Sequence, residues 1–363
     1  MLRPSRERQM ASLTAPPAPV MLCGYYGEHN LGDDALLAVL LGQLPEGCRP
    51  LITVHDQACL AAVLGATSVD RRRPAVVLAA LGRCQALVLG GGSLLQDATS
   101  FGSLLYYALL ILAARSLNKP VLLWAQGLGP LRRRRSRRLV RFLLAQISGA
   151  SWRDAESARL AAQLGCRHGL VGSDPVWALQ PGSWRGPGGP ILLCWRPVAS
   201  LQADDWRPYL DAVAALAEGR DRAVIWLPFH RDQDSSLLTD LSKAGLVPEP
   251  LVARSSVIRP ETPAEAIELL SSAGLVVAMR LHGLILAALA GAPVAALSYD
   301  PKVAAAAAAI GCDCRNLGPA SRQNLLAAWT ATLDQPPDPQ RLTTLQSQAE
   351  VHRQLLAALT PAG

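Results

Sequence analysis

The sequence predicts an α/β protein built of two Rossmann-like domains that face each other across a cleft. Three observations predict it. Short apolar runs recur along the chain and are continuous, not alternating, as strands buried on both faces of a parallel sheet should be. Most of these runs end in glycine-rich or proline-containing loops and lead into helical patterns. The series is interrupted once, by a stretch dense in Gly and Pro from Pro181 to Pro190, and then resumes. A length of 363 residues suits that division, at about 100–200 residues per domain.

The elements follow in order. Residues 1–19 hold Arg, Ser, Ala and Pro but no apolar core of a secretory signal, and read as a disordered leader. Residues 20–180 form the first domain. Its first strand, Val20 to Cys23, runs into a long Gly-rich turn ending in Asn30-Leu31-Gly32-Asp33-Asp34, and a helix is expected from Ala35 to Leu44. Further strands are expected at Leu51–Val54, Ala86–Leu89, Val121–Trp124 and Ile147–Trp152. The run Ala86–Leu89 ends in Gly90-Gly91-Gly92-Ser93, and Val121–Trp124 in Ala125-Gln126-Gly127-Leu128-Gly129-Pro130. Residues 190–335 form the second domain, with strands at Ile191–Cys194, Ala223–Leu227, Leu275–Ala278 and Val294–Leu297. Residues 336–363 read as a helical tail.

Composition narrows the function. The net charge is +7, and Arg132, Arg133, Arg134, Arg135, Arg137 and Arg138 form one dense run, Arg71-Arg72-Arg73 another. Such runs serve either as solvated surface or as contacts to anionic lipid headgroups or a polyanionic acceptor. They lack interleaved aromatics and any nucleic-acid motif, so nucleic acid is not an expected partner. The longest strongly apolar stretch, Leu104 to Ala114, falls short of the roughly 20 residues that span a bilayer. Membrane contact would therefore be peripheral. Eight cysteines without a Cys-x-x-Cys pair suit a reduced, cytoplasmic protein. No metal is expected, because neither Cys312 with Cys314 nor His230 with Asp232 and Asp234 has ligand spacing.

Two loops carry most of the chemistry. Met279-Arg280-Leu281-His282-Gly283 and Ser298-Tyr299-Asp300-Pro301-Lys302 each follow an apolar run, with a short helix between them. In a parallel sheet both loops reach the carboxyl edge, where ligands bind. Arg280, His282 and Lys302 would converge there, two fixed cations and a titratable imidazole suited to a small anion undergoing proton transfer. Tyr299 could either pack or donate a hydrogen bond. Gly91, Gly92 and Ser93 could let backbone amides approach a ligand, or simply make a tight turn. Asp33 and Asp34 suit a helix start and would repel a phosphate there; beside a sugar, one of them could orient or deprotonate a hydroxyl. Arg153 either pairs with Asp154 or binds a ligand.

Taken in order, these segments resemble the polysaccharide pyruvyl transferase family, its CsaB-like bacterial branch most closely. The resemblance is carried by Gly24-Tyr25-Tyr26-Gly27 with Asn30 to Ala35, Gly90 to Asp97, Ala125 to Pro130, Arg153-Asp154, Asp174-Pro175-Val176, Met279 to His282 and Ser298 to Lys302. It implies a glycosyltransferase-B-like fold. It also implies transfer of the pyruvyl group of phosphoenolpyruvate, a co-substrate, onto two hydroxyls of a sugar, giving a ketal and phosphate without a cofactor. By the same resemblance Arg153, His282 and Lys302 match positions essential in the family, and Arg280 and Leu281 flank the histidine in the donor site; the loop of Gly91, Gly92 and Ser93 is expected to bind the donor with them. Asn30, Asp33 and Asp34 fall to the acceptor side. The implied acceptor is a lipid-linked cell-wall or exopolysaccharide precursor at the inner face of the membrane. One departure is visible: Trp195-Arg196-Pro197-Val198 stands where relatives often have Arg-Pro-Trp. The alternative activity for such a fold is transfer from a nucleotide sugar.

Overall fold

The computed structural model describes residues 18–57, 66–98 and 100–359; nearly all of the expected leader lies outside them. Two wholly parallel sheets dominate. The first has seven strands in the order β3-β2-β1-β4-β5-β6-β7, the second six in the order β10-β9-β8-β11-β12-β13. In the first sheet β1 is Val20–Tyr26, β2 Pro50–Val54, β3 Thr67–Asp70, β4 Ala86–Gly92, β5 Val121–Gln126, β6 Gly149–Trp152 and β7 Leu170–Val171. In the second β8 is Ile191–Cys194, β9 Val224–Trp226, β10 Ser255–Val257, β11 Leu275–Ala278, β12 Val294–Ser298 and β13 Asp313–Asn316.

Helices of eight or more residues are numbered here. They are α1 (Leu31–Gln43), α2 (Pro74–Arg83), α3 (Phe101–Ser116), α4 (Arg134–Leu144), α5 (Ala155–Gln163), α6 (Arg207–Gly219), α7 (Pro263–Leu270), α8 (Leu281–Leu289), α9 (Pro301–Ile310), α10 (Arg322–Thr332) and α11 (Pro339–Ala349). Helices α2, α3, α4 and α5 pack on one face of the first sheet, around Leu87, Leu89, Leu110, Ile111, Leu123 and Leu143. Helix α1 covers the other face with Leu37 and Leu40.

Side-chain caps fix the starts of two helices at the site, and the first begins earlier than its apolar pattern predicts. Asn30 Oδ1 accepts from Gly32 N–H (3.1 Å), so α1 starts at Leu31 and takes in Asp33 and Asp34. Asp300 accepts from the backbone N–H of Lys302 (3.0 Å) and starts α9 at Pro301. α8 starts at Leu281, which puts His282 inside its first turn, and no side chain caps it.

Each sheet reverses strand order once, between β1 and β4 and between β8 and β11. Such switch points open crevices at the carboxyl ends of strands. The two carboxyl edges face each other and are joined in two ways. The β1–α1 loop pairs with the loop after β9, through Leu31 N–H to Phe229 O (2.9 Å) and Arg231 N–H to His29 O (3.0 Å). Beside that seam, Leu31, Ala35 and Leu36 of α1 share a core with Leu284 and Ile285 of α8 and Ile267 of α7. The C-terminal helices cross back to the first half. Ser173 Oγ donates to Leu345 O (2.6 Å), and Leu356 and Leu359 complete the apolar cluster around Val20, Leu22 and Trp124.

Candidate functional site

The site lies where the two edges meet beside the seam. Arg153 leaves the end of β6 buried, its Nη2 donating to Ser93 Oγ (3.1 Å) and its Nη1 3.4 Å from Asp174 Oδ2; Asp154 is 3.6 Å from its Nε. Lys302, from the first turn of α9 in the other half, donates its Nζ to the same Ser93 Oγ at 3.0 Å. Two cations from opposite sheets thus converge on one neutral hydroxyl. Among the described residues no carboxylate forms an ion pair with Lys302. Burial, reinforced by Arg153, lowers its pKa below that of an ordinary lysine, against the pull of Asp300, Asp154 and Asp174.

His282 faces Asp174. Its Nε2 is buried, lies 3.6 Å from Asp174 Oδ2 and makes no hydrogen bond. That distance is within ion-pair reach but beyond a hydrogen bond. Burial alone would push the Asp174 carboxyl up. His282, Arg153 and the backbone N–H of Val176 outweigh it and hold the carboxyl down at about 2. Asp174 is therefore ionised, and ties the histidine of one half to the arginine of the other. In the sequence it is one residue of the family resemblance, with no role of its own. The signal available was an aspartate before Pro175, ready to cap the short helix Pro175–Ala178.

Two glycines are required by close approach. A Cβ on Gly32 would overlap the His282 imidazole, and one on Gly127 would lie 2.6 Å from Ser93 Oγ and 2.7 Å from Arg153 Nε. Ser93 is aimed by the turn before it, where Gly91 and Gly92 have φ of 50° and 75°, outside the range most side chains adopt. Gln126 braces that turn, its Nε2 donating to Leu89 O (3.2 Å) and Gly91 O (3.3 Å). Neither Gln126 nor Gly127 was singled out as a site residue, because a buried glutamine and one glycine among many have no signature in one sequence.

Asp33 is half-buried beside this group. Asn30 Nδ2 donates to its Oδ2 at 2.5 Å, and a Cβ on Gly92 would lie 3.9 Å from its Oδ1. Burial raises its pKa to about 6, although His282, Arg71, Arg153 and Arg280 pull it down. Burial and the neighbouring Asp33 raise Asp34 further, to about 7. Leu281 packs against the core of the second half and, with Arg153, Asp174, Ile285 and Lys302, borders a depression of about 390 Å³.

Arg280 points elsewhere. It forks onto Asp234, with Nε to Oδ2 at 3.0 Å and Nη2 to Oδ1 at 2.5 Å, and reaches Gln233 Oε1 at 3.3 Å. Asp234 also accepts from the N–H groups of Phe229 (3.2 Å) and His230 (2.9 Å). Arg196 donates to the same Gln233 Oε1 (3.3 Å) and to Tyr299 Oη (3.2 Å), which accepts here. Arg280 and Arg196 therefore flank the β8–β11 crevice, whereas Arg153, Lys302 and His282 gather around Ser93 and Asp174. Asp300 caps α9 and so occupies the start of that helix.

The family model described as polysaccharide pyruvyl transferase matches residues 30–301. Comparison with curated proteins yields no match. Among solved structures, a protein of Listeria monocytogenes assigned as a UDP-N-acetylglucosamine 2-epimerase has a TM-score of 0.63 at 13% identity, over 94% of this chain and 96% of its own. The UDP-GlcNAc 2-epimerase of Methanocaldococcus jannaschii has 0.62 at 11% identity, over 95% and 99%. Anabaena HepE in complex with UDP and glucose has 0.58 at 12% identity, over 95% and 100%. These likenesses establish the glycosyltransferase-B-like fold.

Proposed function

Because the chain belongs to the polysaccharide pyruvyl transferase family, we propose that it transfers the pyruvyl group of phosphoenolpyruvate to two hydroxyls of one sugar in a cell-wall or exopolysaccharide precursor. The observation that carries this reading is the convergence of Arg153 and Lys302, from opposite halves, on Ser93 Oγ. A phosphate or carboxylate oxygen suits that point better than a hydroxyl does, and phosphoenolpyruvate brings both groups.

The chemistry then follows from the residues. His282 delivers a proton to the methylene carbon of phosphoenolpyruvate, and positive charge develops at the carbon bearing the phosphate ester. Asp174, ionised and 3.6 Å from Nε2, stabilises the protonated imidazole before transfer and orients it. One sugar hydroxyl attacks and gives up its proton. Asp33, with its pKa near 6, is the base placed for this on the acceptor side. The C–O bond to phosphate then breaks, with Arg153 and Lys302 neutralising the departing phosphate. The second hydroxyl attacks the same carbon, loses its proton and closes the ketal. Three protons move: one enters at carbon, two leave the hydroxyls, so one is released with phosphate. Arg280, forked onto Asp234, holds the loop that presents Leu281 and His282 to the donor.

Phosphate release from phosphoenolpyruvate, measured against a panel of glycan precursors, tests the reading. Release should require both substrates. The rival donor in this fold is a nucleotide sugar. If UDP or a UDP-sugar raises the melting temperature and phosphoenolpyruvate does not, the proposal fails.

A further inference from the structure

Away from the cleft, one face of the first half carries apolar side chains that the core does not take up. Along α3, Leu105, Leu109 and Leu112 are 47%, 44% and 38% exposed. Their spacing of four and three residues puts them on one line, about 10 Å long at 1.5 Å per residue. The opposite side of the same helix, Leu104, Leu110 and Ile111, is fully buried. Phe142, on the adjacent α4, is 52% exposed, and Arg134, Arg135, Arg138 and Arg141 are exposed beside it. Arg135 lies over the Phe101 ring, its Cζ 4.0 Å from the centroid, and joins the start of α4 to the start of α3. On the other flank α2 exposes Val76 and Arg83, with Arg72 and Arg73 just before it.

The charge of this region is one-sided. From Arg71 to Arg153 the sequence holds 14 Lys and Arg and a single acid, Asp97. That acid is buried and accepts from the backbone N–H groups of Arg132 (2.8 Å) and Arg133 (2.9 Å), so it fixes the basic loop and offers no charge to the surface. An exposed leucine line rimmed by arginines and free of surface carboxylates is complementary to an apolar layer beneath an anionic one.

We propose that the outer face of α2, α3 and α4 docks the protein on an anionic lipid bilayer, with Leu105, Leu109, Leu112 and Phe142 entering the headgroup–acyl boundary and the arginines meeting lipid phosphates. A second copy of the chain fits worse, since it would set arginine against arginine with no carboxylate to receive either. No helix among the described residues is long and apolar enough to cross a membrane, so the contact is one of surface insertion. The inference stands apart from the chemistry of the cleft. Taken with that reading, it explains how a lipid-borne acceptor arrives: α3 and α4 both begin at the carboxyl edge of the first sheet, so the docked face adjoins the rim of the site.

Co-sedimentation of the full chain with vesicles tests it. Binding to vesicles with about one-third phosphatidylglycerol should be at least tenfold tighter than to pure phosphatidylcholine, and should weaken as salt rises. Leu105→Glu with Leu109→Glu should lower binding by about tenfold or more, with the melting temperature and the release of phosphate with a water-soluble acceptor unchanged. Arg134→Gln, Arg135→Gln and Arg138→Gln together should abolish the preference for phosphatidylglycerol. Equal binding to both vesicle types, or full binding by the double glutamate variant, would overturn the proposal. So would a wild-type dimer, seen by sedimentation velocity, that the glutamates dissociate while vesicle binding is absent.

Discussion

Arg280 and Lys302 sit after neighbouring strands of the same sheet, and their surroundings could hardly differ more. Arg280 is spent on Asp234, a carboxylate with no exposed side-chain surface that also accepts two backbone N–H groups. Lys302 has a half-buried ammonium with a serine hydroxyl for its partner. A buried pair that satisfies itself is architecture, whereas a cation partly withdrawn from water without a counter-charge is destabilising until an anion arrives. The difference separates the parts of one loop cluster that hold the fold from those free to hold a ligand.

The largest effect should therefore come from Lys302→Met. Steady-state kinetics should show kcat/KM for phosphoenolpyruvate falling by about 10³-fold, and calorimetry should show Tm rising, because an unpaired, half-buried charge has been removed. A fall in both would erase the contrast with Arg280. His282→Gln should cost about 10²-fold or more in kcat with little change in phosphoenolpyruvate binding. Asp234→Ala should invert the pattern. Denaturant unfolding should register a loss of about 3–5 kcal/mol from stranding the Arg280 guanidinium, with a smaller proportional loss of turnover in the protein that remains folded.

Two smaller effects depend on pH. With its folded pKa raised to about 6, Asp33 takes up a proton as pH falls through that value. The pH profile of kcat/KM should lose activity below about 6 on that account, and Asp33→Asn should be nearly inactive at every pH. Asp174 works in the opposite sense. Its folded pKa is lowered to about 2 from an ordinary 3.8, so its stabilisation is complete above about 4 and disappears as pH falls towards 2. Acid titration of Asp174→Asn should lack that component, roughly 2 kcal/mol at neutral pH.

The strands that sequence alone exposed are those in the sheet interiors. Runs such as Leu87-Val88-Leu89 and Val276-Val277 are covered by helices on both faces, and nothing but apolar residues suits them. The four strands it missed, β3, β7, β10 and β13, are the four edges. Three of them, Thr67-Ser68-Val69-Asp70, Ser255-Ser256-Val257 and Asp313-Cys314-Arg315-Asn316, are mostly polar because an edge strand is only partly covered, and the fourth, Leu170-Val171, is only two residues long. The site divides on similar lines. Arg153, His282 and Lys302 were legible because charged residues directly after apolar runs must reach a sheet edge. The parting of Arg280 from them was not, because its partner Asp234 is 46 residues away on a short helix whose packing no local pattern reveals. The dependence of Ser93 on Gln126 is hidden for the same reason.

The return of the C-terminal helices to the first sheet has a consequence for how the chain is made. Val20, Leu22 and Trp124 leave the ribosome long before Leu356 and Leu359, yet all share one cluster. Until Leu356 and Leu359 have emerged, part of the first sheet's apolar surface has no cover. Nascent chains halted before Pro339 should be recognised as incomplete by chaperones that bind exposed apolar surface, although both sheets have already been translated.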